Sequence, residues 1–304
     1  MKESKGMDTP ARTRLSAMMG TYGKTRPLKD GTLQSPLLEL AFAPVDTAQK
    51  AFKDVVRREQ YDVSELAIIT YLQAFEAGKP YLLLPFVMNG NFHHGSVWCR
   101  DDATFGPTDL AGKRVAMRAY TQTTPTWVRG LLADEYGMRL EEVRWLSQEG
   151  AHVEGYDEPP WVSRLDPGTD LETLLRTGEV DAIIAGGGLS KEPGIRPLLD
   201  APADAAARWY ARTGIVPINH VVTIRQSVAD GRPDLVRELY GLLLESRTRD
   251  TAYVPAQQPD LQPTGFEALA PALTLAVRYA YEQRLIKRMF SLGELYGSVR
   301  GALA

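Results

Sequence analysis

The chain has 304 residues, enough for two domains of ordinary size with separate cores. It is 44% hydrophobic and 24% charged, and a formal charge of −3 speaks against a broad nucleic-acid or anionic-membrane surface while leaving room for a local basic pocket. The single cysteine, Cys99, excludes an internal disulfide and a multi-cysteine metal cluster; set in an apolar run, it reads as a buried, inert thiol.

Residues 1–11 read as a disordered lead, and the basic amino terminus lacks the apolar core of a signal peptide. No window offers the roughly eighteen apolar residues of a membrane span, so a cytoplasmic location is expected. Over 14–19, Leu15, Ala17 and Met19 alternate with polar residues and predict a strand running into a polar loop at 20–25. A second strand follows at 37–43. Asp46 and Gln49 resemble a capping box that opens a helix reaching about residue 58. A short strand at 61–63 precedes Ser64, expected to cap a helix over 65–77 that Gly78 closes. Strands at 81–87 and 94–100 are joined by the turn-rich Asn89-Gly90-Asn91.

The stretch 107–137 reads as a turn, a buried strand, a polar loop over 119–124 and a helix. Thr124 before Pro125 is the expected helix start, Trp127, Val128, Leu131, Leu132 and Tyr136 form one apolar face, and Gly137 is the stop. A polar loop between a strand's carboxyl end and a helix's amino end offers N–H groups to an anion. Further on, a strand is expected at 142–146 and a long acidic, glycine-containing loop at 148–168. Thr169 and Glu172 form a capping box for a helix ending at Gly178, and a buried strand at 180–185 stops at Gly186-Gly187-Gly188. A helix at 203–212, a strand at 216–225, helices at 233–248 and 266–287 and a short one from Ser291 complete the chain.

Alternating strands and helices imply an open, largely parallel α/β sheet binding ligands beyond the carboxyl ends of its strands. Two runs, 115–120 and 215–222, suit crossings between lobes, giving one lobe from 12–116 plus 221–304 and a second from 117–220, with the ligand cleft between them.

At this point YDVSELAIITYL (61–72), FHHGSVWCR (92–100), DLAGKRVAMRAYTQTTPTWVRGLLADEYG (109–137), GEVDAII (178–184) and WYARTGIVPINHVVTIR (209–225) together resemble the 4,5-dihydroxyphthalate decarboxylase family. The resemblance keeps its order over about 14–300 and implies a two-lobed α/β, type 2 periplasmic-binding-protein-like fold. The chain departs from the family pattern at Arg118 and Ala119, at Gly186–Gly188, and at Gln262-Pro263-Thr264-Gly265, where a Trp-Pro-Tyr-Gly kind of motif is usual.

Of four histidines, His94 and His220 fall in family-like segments, and the inferred fold brings both to one cleft, where an imidazole can deliver a proton near neutral pH. His152, in the acidic loop, reads as solvated, and adjacency of His93 and His94 is poor ground for a metal site. Ser64 and Glu65 read either as a cap and a first-turn acid, or as a substrate contact and a group orienting a histidine or phenol. Tyr120, Thr123 and Thr124 suit a carboxylate. Arg118 suits bidentate pairing with one, and Arg212 and Thr213 suit a clamp from the second lobe. Tyr22 and Lys24 occupy a typical ligand loop. Beside a ligand role for this helix start, Trp127 reads as part of a packed face and Arg129 as a surface charge. Neither a Walker pattern nor GxGxxG is present.

The resemblance implies a carboxy-lyase acting on a small hydroxylated aromatic carboxylate; the residues suit a scheme in which His220 or His94 protonates the ring carbon, the second histidine or Glu65 takes the phenolic proton, and carbon dioxide leaves. That scheme needs no organic cofactor; a divalent metal and self-association are left open. Two other readings stand beside it: a solute-binding protein without catalysis, and another lyase on the same fold similar to menaquinone-pathway enzymes.

Overall fold

Strand pairing sorts the chain into two sheets. The computed structural model describes residues 12–253 and 259–304; the lead expected over 1–11 lies outside them. In chain order the strands are β1 (Thr13–Met18), β2 (Leu38–Phe42), β3 (Val63–Ala67), β4 (Tyr81–Gly90), β5 (Val97–Arg100), β6 (Arg114–Ala119), β7 (Arg144–Glu149), β8 (Val162–Arg164), β9 (Ala182–Ile184), β10 (Ile195–Pro197) and β11 (Ile218–Arg225). The first sheet runs β2-β1-β3-β11-β4, the second β10-β5-β9-β6-β7-β8. Strands β1, β2 and β3 are parallel, as are β6, β7, β8 and β9. Antiparallel neighbours interrupt both sheets: β11 lies between β3 and β4, and β5 pairs with β9 and β10. The sheets are therefore mixed, a departure from the largely parallel expectation.

Sheet membership also moves the lobe boundary expected at 116/117. Strand β5 and the whole of β6 belong to the second sheet, so the chain leaves the first lobe after β4 and returns at β11. The apolar runs at 97–100 and 114–119 could not report which sheet buries them, because periodicity carries no information on strand order.

Strand β3 corrects another expectation. All five of its residues are buried, and the helix begins only at Ile68, running over Ile68–Glu76 with Ala67 at its cap. Ser64 is thus a mid-strand residue in the core. The helix over Thr123–Tyr136 starts earlier than expected, with Gln122 at its N-cap, and Gly137 ends it in the left-handed conformation. Its Gly130 is needed for packing: a Cβ there would lie 2.2 Å from the ring of Tyr279 on the helix Phe266–Glu282. Asp170, not Thr169, caps the helix Leu171–Thr177, accepting from the amide of Thr173 at 2.9 Å. The expected loop over 148–168 contains β8. Cys99 is fully buried. No helix among the described residues is long and apolar enough to cross a membrane.

Buried contacts tie the lobes together along the Thr123–Tyr136 helix. Trp127 donates its indole N–H to the carbonyl of Ile218 at 2.9 Å. Arg129, expected as a ligand contact or a surface charge, is completely buried: it stacks 3.8 Å from the Tyr120 ring centroid and donates to Gln283 Oε1 at 2.8 Å and to the Tyr120 carbonyl at 2.6 Å.

Candidate active site

Antiparallel pairing sets the first half of the site. His220 on β11 faces Ala67, and Val222 faces Glu65. Glu65 and His220 are therefore diagonal neighbours on one face of the ribbon, within reach of long side chains. Their side chains meet, with His220 Nδ1 2.7 Å from Glu65 Oε1. Glu65 is completely buried. Its Oε1 also accepts the Tyr22 hydroxyl at 2.8 Å, and its Oε2 accepts the backbone N–H of Gly20 at 2.9 Å. A buried carboxyl group is tolerable when its lone pairs are filled in this way. Gly20 is required by the same packing, because a Cβ there would sit 2.5 Å from the Tyr22 ring. Burial, with Glu65 alongside, pushes the Tyr22 phenol well above its ordinary pKa, so it stays a donor.

His220 opens onto a cleft of about 670 Å³ between the lobes. The first lobe contributes Phe52, Thr70, Asn89, Asn219 and His220; the second contributes Arg118, Thr123, Thr124, His152 and Gly186–Gly188. Thr123 and Thr124 sit in the first turn of a 14-residue helix, where backbone N–H groups have no intrahelical acceptor. The Arg118 side chain is 46% exposed and its guanidinium lies 3.7 Å from Glu149, so it can turn toward an anion without leaving a buried charge behind.

The second imidazole in this cleft is His152. Its Nδ1 lies 2.9 Å from Thr70 Oγ1. Phe52 presents its ring to both histidines, with centroids 6.1 Å from His152 and 5.2 Å from His220, each edge-to-face. Arg57 holds the His152 loop, donating to the carbonyls of His152 at 2.8 Å and Ala151 at 3.3 Å. Burial lowers the His152 pKa to about 4, helped by the positive charges of Lys53 and Arg118. The expectation of a solvated His152 is thus corrected: the loop is long, but Arg57 docks it on the first lobe.

Several other expected site residues lie elsewhere. His94 lines a separate apolar cavity with Phe92, Pro202 and Tyr210, sharing no lining residue with the cleft. Its ring packs on Trp209, 5.8 Å between centroids, and both ring nitrogens are buried without a hydrogen-bond partner among the described residues. The pairing of His94 with His220 across one cleft is therefore overturned, because the backbone turns away between β4 and β5. Tyr120 is fully buried, donating to the Gln283 carbonyl at 3.3 Å under the stacked Arg129. Ser64 is fully buried, within 3.4 Å of Thr223 Oγ1. Arg212 pairs with Glu135 outside the cleft. Thr213 caps its own helix end, donating to the Trp209 carbonyl at 2.9 Å. Lys24 is buried and donates to the Met88 carbonyl at 2.6 Å, its pKa lowered to about 8 by burial. Glu65 stays beside His220 but lines no part of the cleft wall. His93 supports the wall from behind, its Nε2 2.8 Å from Asn219 Oδ1.

Two α/β lobes around a ligand-sized cleft define a type 2 periplasmic-binding-protein-like fold. The fold is similar to that of the periplasmic aliphatic sulphonate binding protein SsuA from Escherichia coli (TM-score 0.57, 14% identity, 94% of this chain and 91% of that one). It is also similar to the desulfurization enzyme DSZB (TM-score 0.52, 15% identity, 96% and 99%). No family profile matches the chain. The 4,5-dihydroxyphthalate decarboxylase of Comamonas testosteroni is 30% identical over 242 residues, 73% of this chain and 71% of that protein. Its namesake from Pseudomonas putida is 29% identical over 215 residues, 64% and 81%. The chain belongs to the 4,5-dihydroxyphthalate decarboxylase family, a family of carboxy-lyases.

Proposed function

We propose that this protein decarboxylates a hydroxylated aromatic carboxylate, such as 4,5-dihydroxyphthalate, with His220 as the proton donor. The observation that carries the reading is the His220–Glu65 contact at 2.7 Å, opening onto a cleft large enough for one aromatic ring. With Nδ1 engaged by Glu65, Nε2 is the ring nitrogen left for the substrate. A proton on this imidazole sits beside a carboxyl group that three donors hold in place. Glu65 acts through His220 and does not touch the substrate.

In the proposed reaction the substrate carboxylate lies against Arg118 and the first-turn amides and hydroxyls at Thr123 and Thr124. A para hydroxyl pushes electron density to the carbon bearing that carboxylate. His220 protonates this carbon and a new C–H bond forms, while the para hydroxyl passes its proton to a base in the cleft, to be returned as carbon dioxide leaves; the ring becomes a dienone. The bond to the carboxylate then breaks, its electron pair returns to the ring, and carbon dioxide leaves. His220 regains its proton from solvent. No organic cofactor is invoked, because the dienone itself accepts the electron pair.

Incubation with 4,5-dihydroxyphthalate and a panel of hydroxybenzoates, followed by mass spectrometry and measurement of released carbon dioxide, tests the reading. Conversion of at least one member to its decarboxylated phenol is expected. Stoichiometric binding with every acid recovered unchanged would instead mark a binding protein.

A further inference from the structure

We propose that His152 is a catalytic residue that takes the substrate's phenolic proton as the ring is protonated and returns it as carbon dioxide departs, an inference that rests on the decarboxylase reading. The reaction needs an acceptor for that proton, and the cleft offers few. Glu65 is completely buried and filled by His220, Tyr22 and Gly20. Asp170 is engaged by the amide and hydroxyl of Thr173. Glu172 is held by Ser190 and Arg176. His152 lines the cleft with Nδ1 fixed by Thr70 at 2.9 Å, so a tautomer donating Nδ1–H to Thr70 leaves the Nε2 lone pair for a substrate hydroxyl.

Placement supports the same division of labour. His152 and His220 both meet Phe52 edge-on, so one ring of the protein spaces the two imidazoles. The charged groups around His152 are Lys53 and Arg57 on the helix Phe52–Arg58, Arg118 on β6, and the carboxylates Glu149 and Glu154. Burial and the cations keep the imidazole free of a proton at neutral pH, while His220 has a carboxyl partner; contrasting surroundings of this kind assign base and acid. Weak basicity is no obstacle, because the substrate hydroxyl becomes strongly acidic once the ring carbon carries a proton. The balance closes: the hydroxyl gives its proton to Nε2, the C–H bond forms from His220, the C–C bond breaks, and the phenoxide recovers its proton from His152.

The test compares wild type with His152→Gln, His152→Ala and Thr70→Val on the acid that wild type converts, with melting curves to verify folding. His152→Gln and His152→Ala should lower kcat by roughly 10²-fold or more, the usual range for a lost general base, with KM changed less than about threefold. Thr70→Val, which frees the ring without removing it, should lose kcat by a smaller factor. Lys53→Ala removes a positive neighbour, which raises the His152 pKa, so the acid limb of kcat/KM should move to higher pH. Folded His152 variants within threefold of wild type, with His220→Gln inactive, would overturn the inference and leave the decarboxylase reading standing. Failure of wild type to convert any acid would overturn both.

Discussion

Glu65 and His220 are 155 residues apart in the chain and meet at 2.7 Å because antiparallel pairing of β3 with β11 makes them diagonal neighbours on one face. Glu65→Gln retains the shape of that contact but removes its charge. It should lower kcat by roughly 10²-fold, at the lower end of the range for general acid catalysis. Tyr22→Phe deletes one of the three donors to Glu65 and should cost less. Steady-state kinetics on the two variants checks the order.

Arg118 is expected to act in binding. Its side chain is half-exposed and loosely paired with Glu149, so Arg118→Ala should leave folding intact and weaken carboxylate affinity. A charge-assisted hydrogen bond is worth about 1.5–3 kcal/mol, or roughly 10- to 100-fold in Kd. Calorimetric titration of an inert substrate analogue measures it; unchanged affinity would place the arginine outside the ligand's reach.

Stability should fall on acidification through His93. Burial lowers its pKa to about 4, against about 6.5 in an unfolded chain. Above pH 6.5 neither state binds the proton and the contribution is full. As pH falls toward 4 the unfolded chain protonates first, and about 3 kcal/mol is lost over that window. Denaturant midpoints between pH 4 and 7 should show this slope, and His93→Gln should reduce it, leaving the part that His152 contributes over the same window.

Gly130→Ala tests the seam between the lobes. A Cβ there would lie 2.2 Å from the Tyr279 ring, and the Tyr279 hydroxyl is fixed to Asp134 at 2.6 Å. With little room to yield, the variant should lose about 1–3 kcal/mol, the usual cost of overpacking, seen as a lower melting temperature.

The residues differ in how much of this the sequence could disclose. His220 was legible because an imidazole at the end of an apolar strand is uncommon and sits in a family-like segment. Thr123 and Thr124 were legible as a polar helix start after a buried strand. Glu65 stands out in the sequence as a group suited to orient a histidine, but the pattern puts it on a helix start; a hydroxyl before an acid signals a cap, and only burial on both faces reveals the strand. His152 was hidden, because its place depends on Arg57 reaching two carbonyls 94 and 95 residues away. His94 was misplaced for the converse reason: its segment matched the family, but the turn that removes it from the cleft leaves no local mark. Tyr120 reads as a ligand contact in the sequence, whereas in the fold the buried Arg129 stacks on its ring and donates to its carbonyl.

The central claim is that His220 delivers the proton that replaces carbon dioxide. The direct measurement is single-turnover carbon dioxide release by His220→Gln at saturating substrate, beside the binding constant of the same variant. Release slowed by roughly 10²- to 10⁴-fold, with Kd within a few-fold of wild type, is the predicted result. A folded variant that releases carbon dioxide at close to the wild-type rate would contradict it.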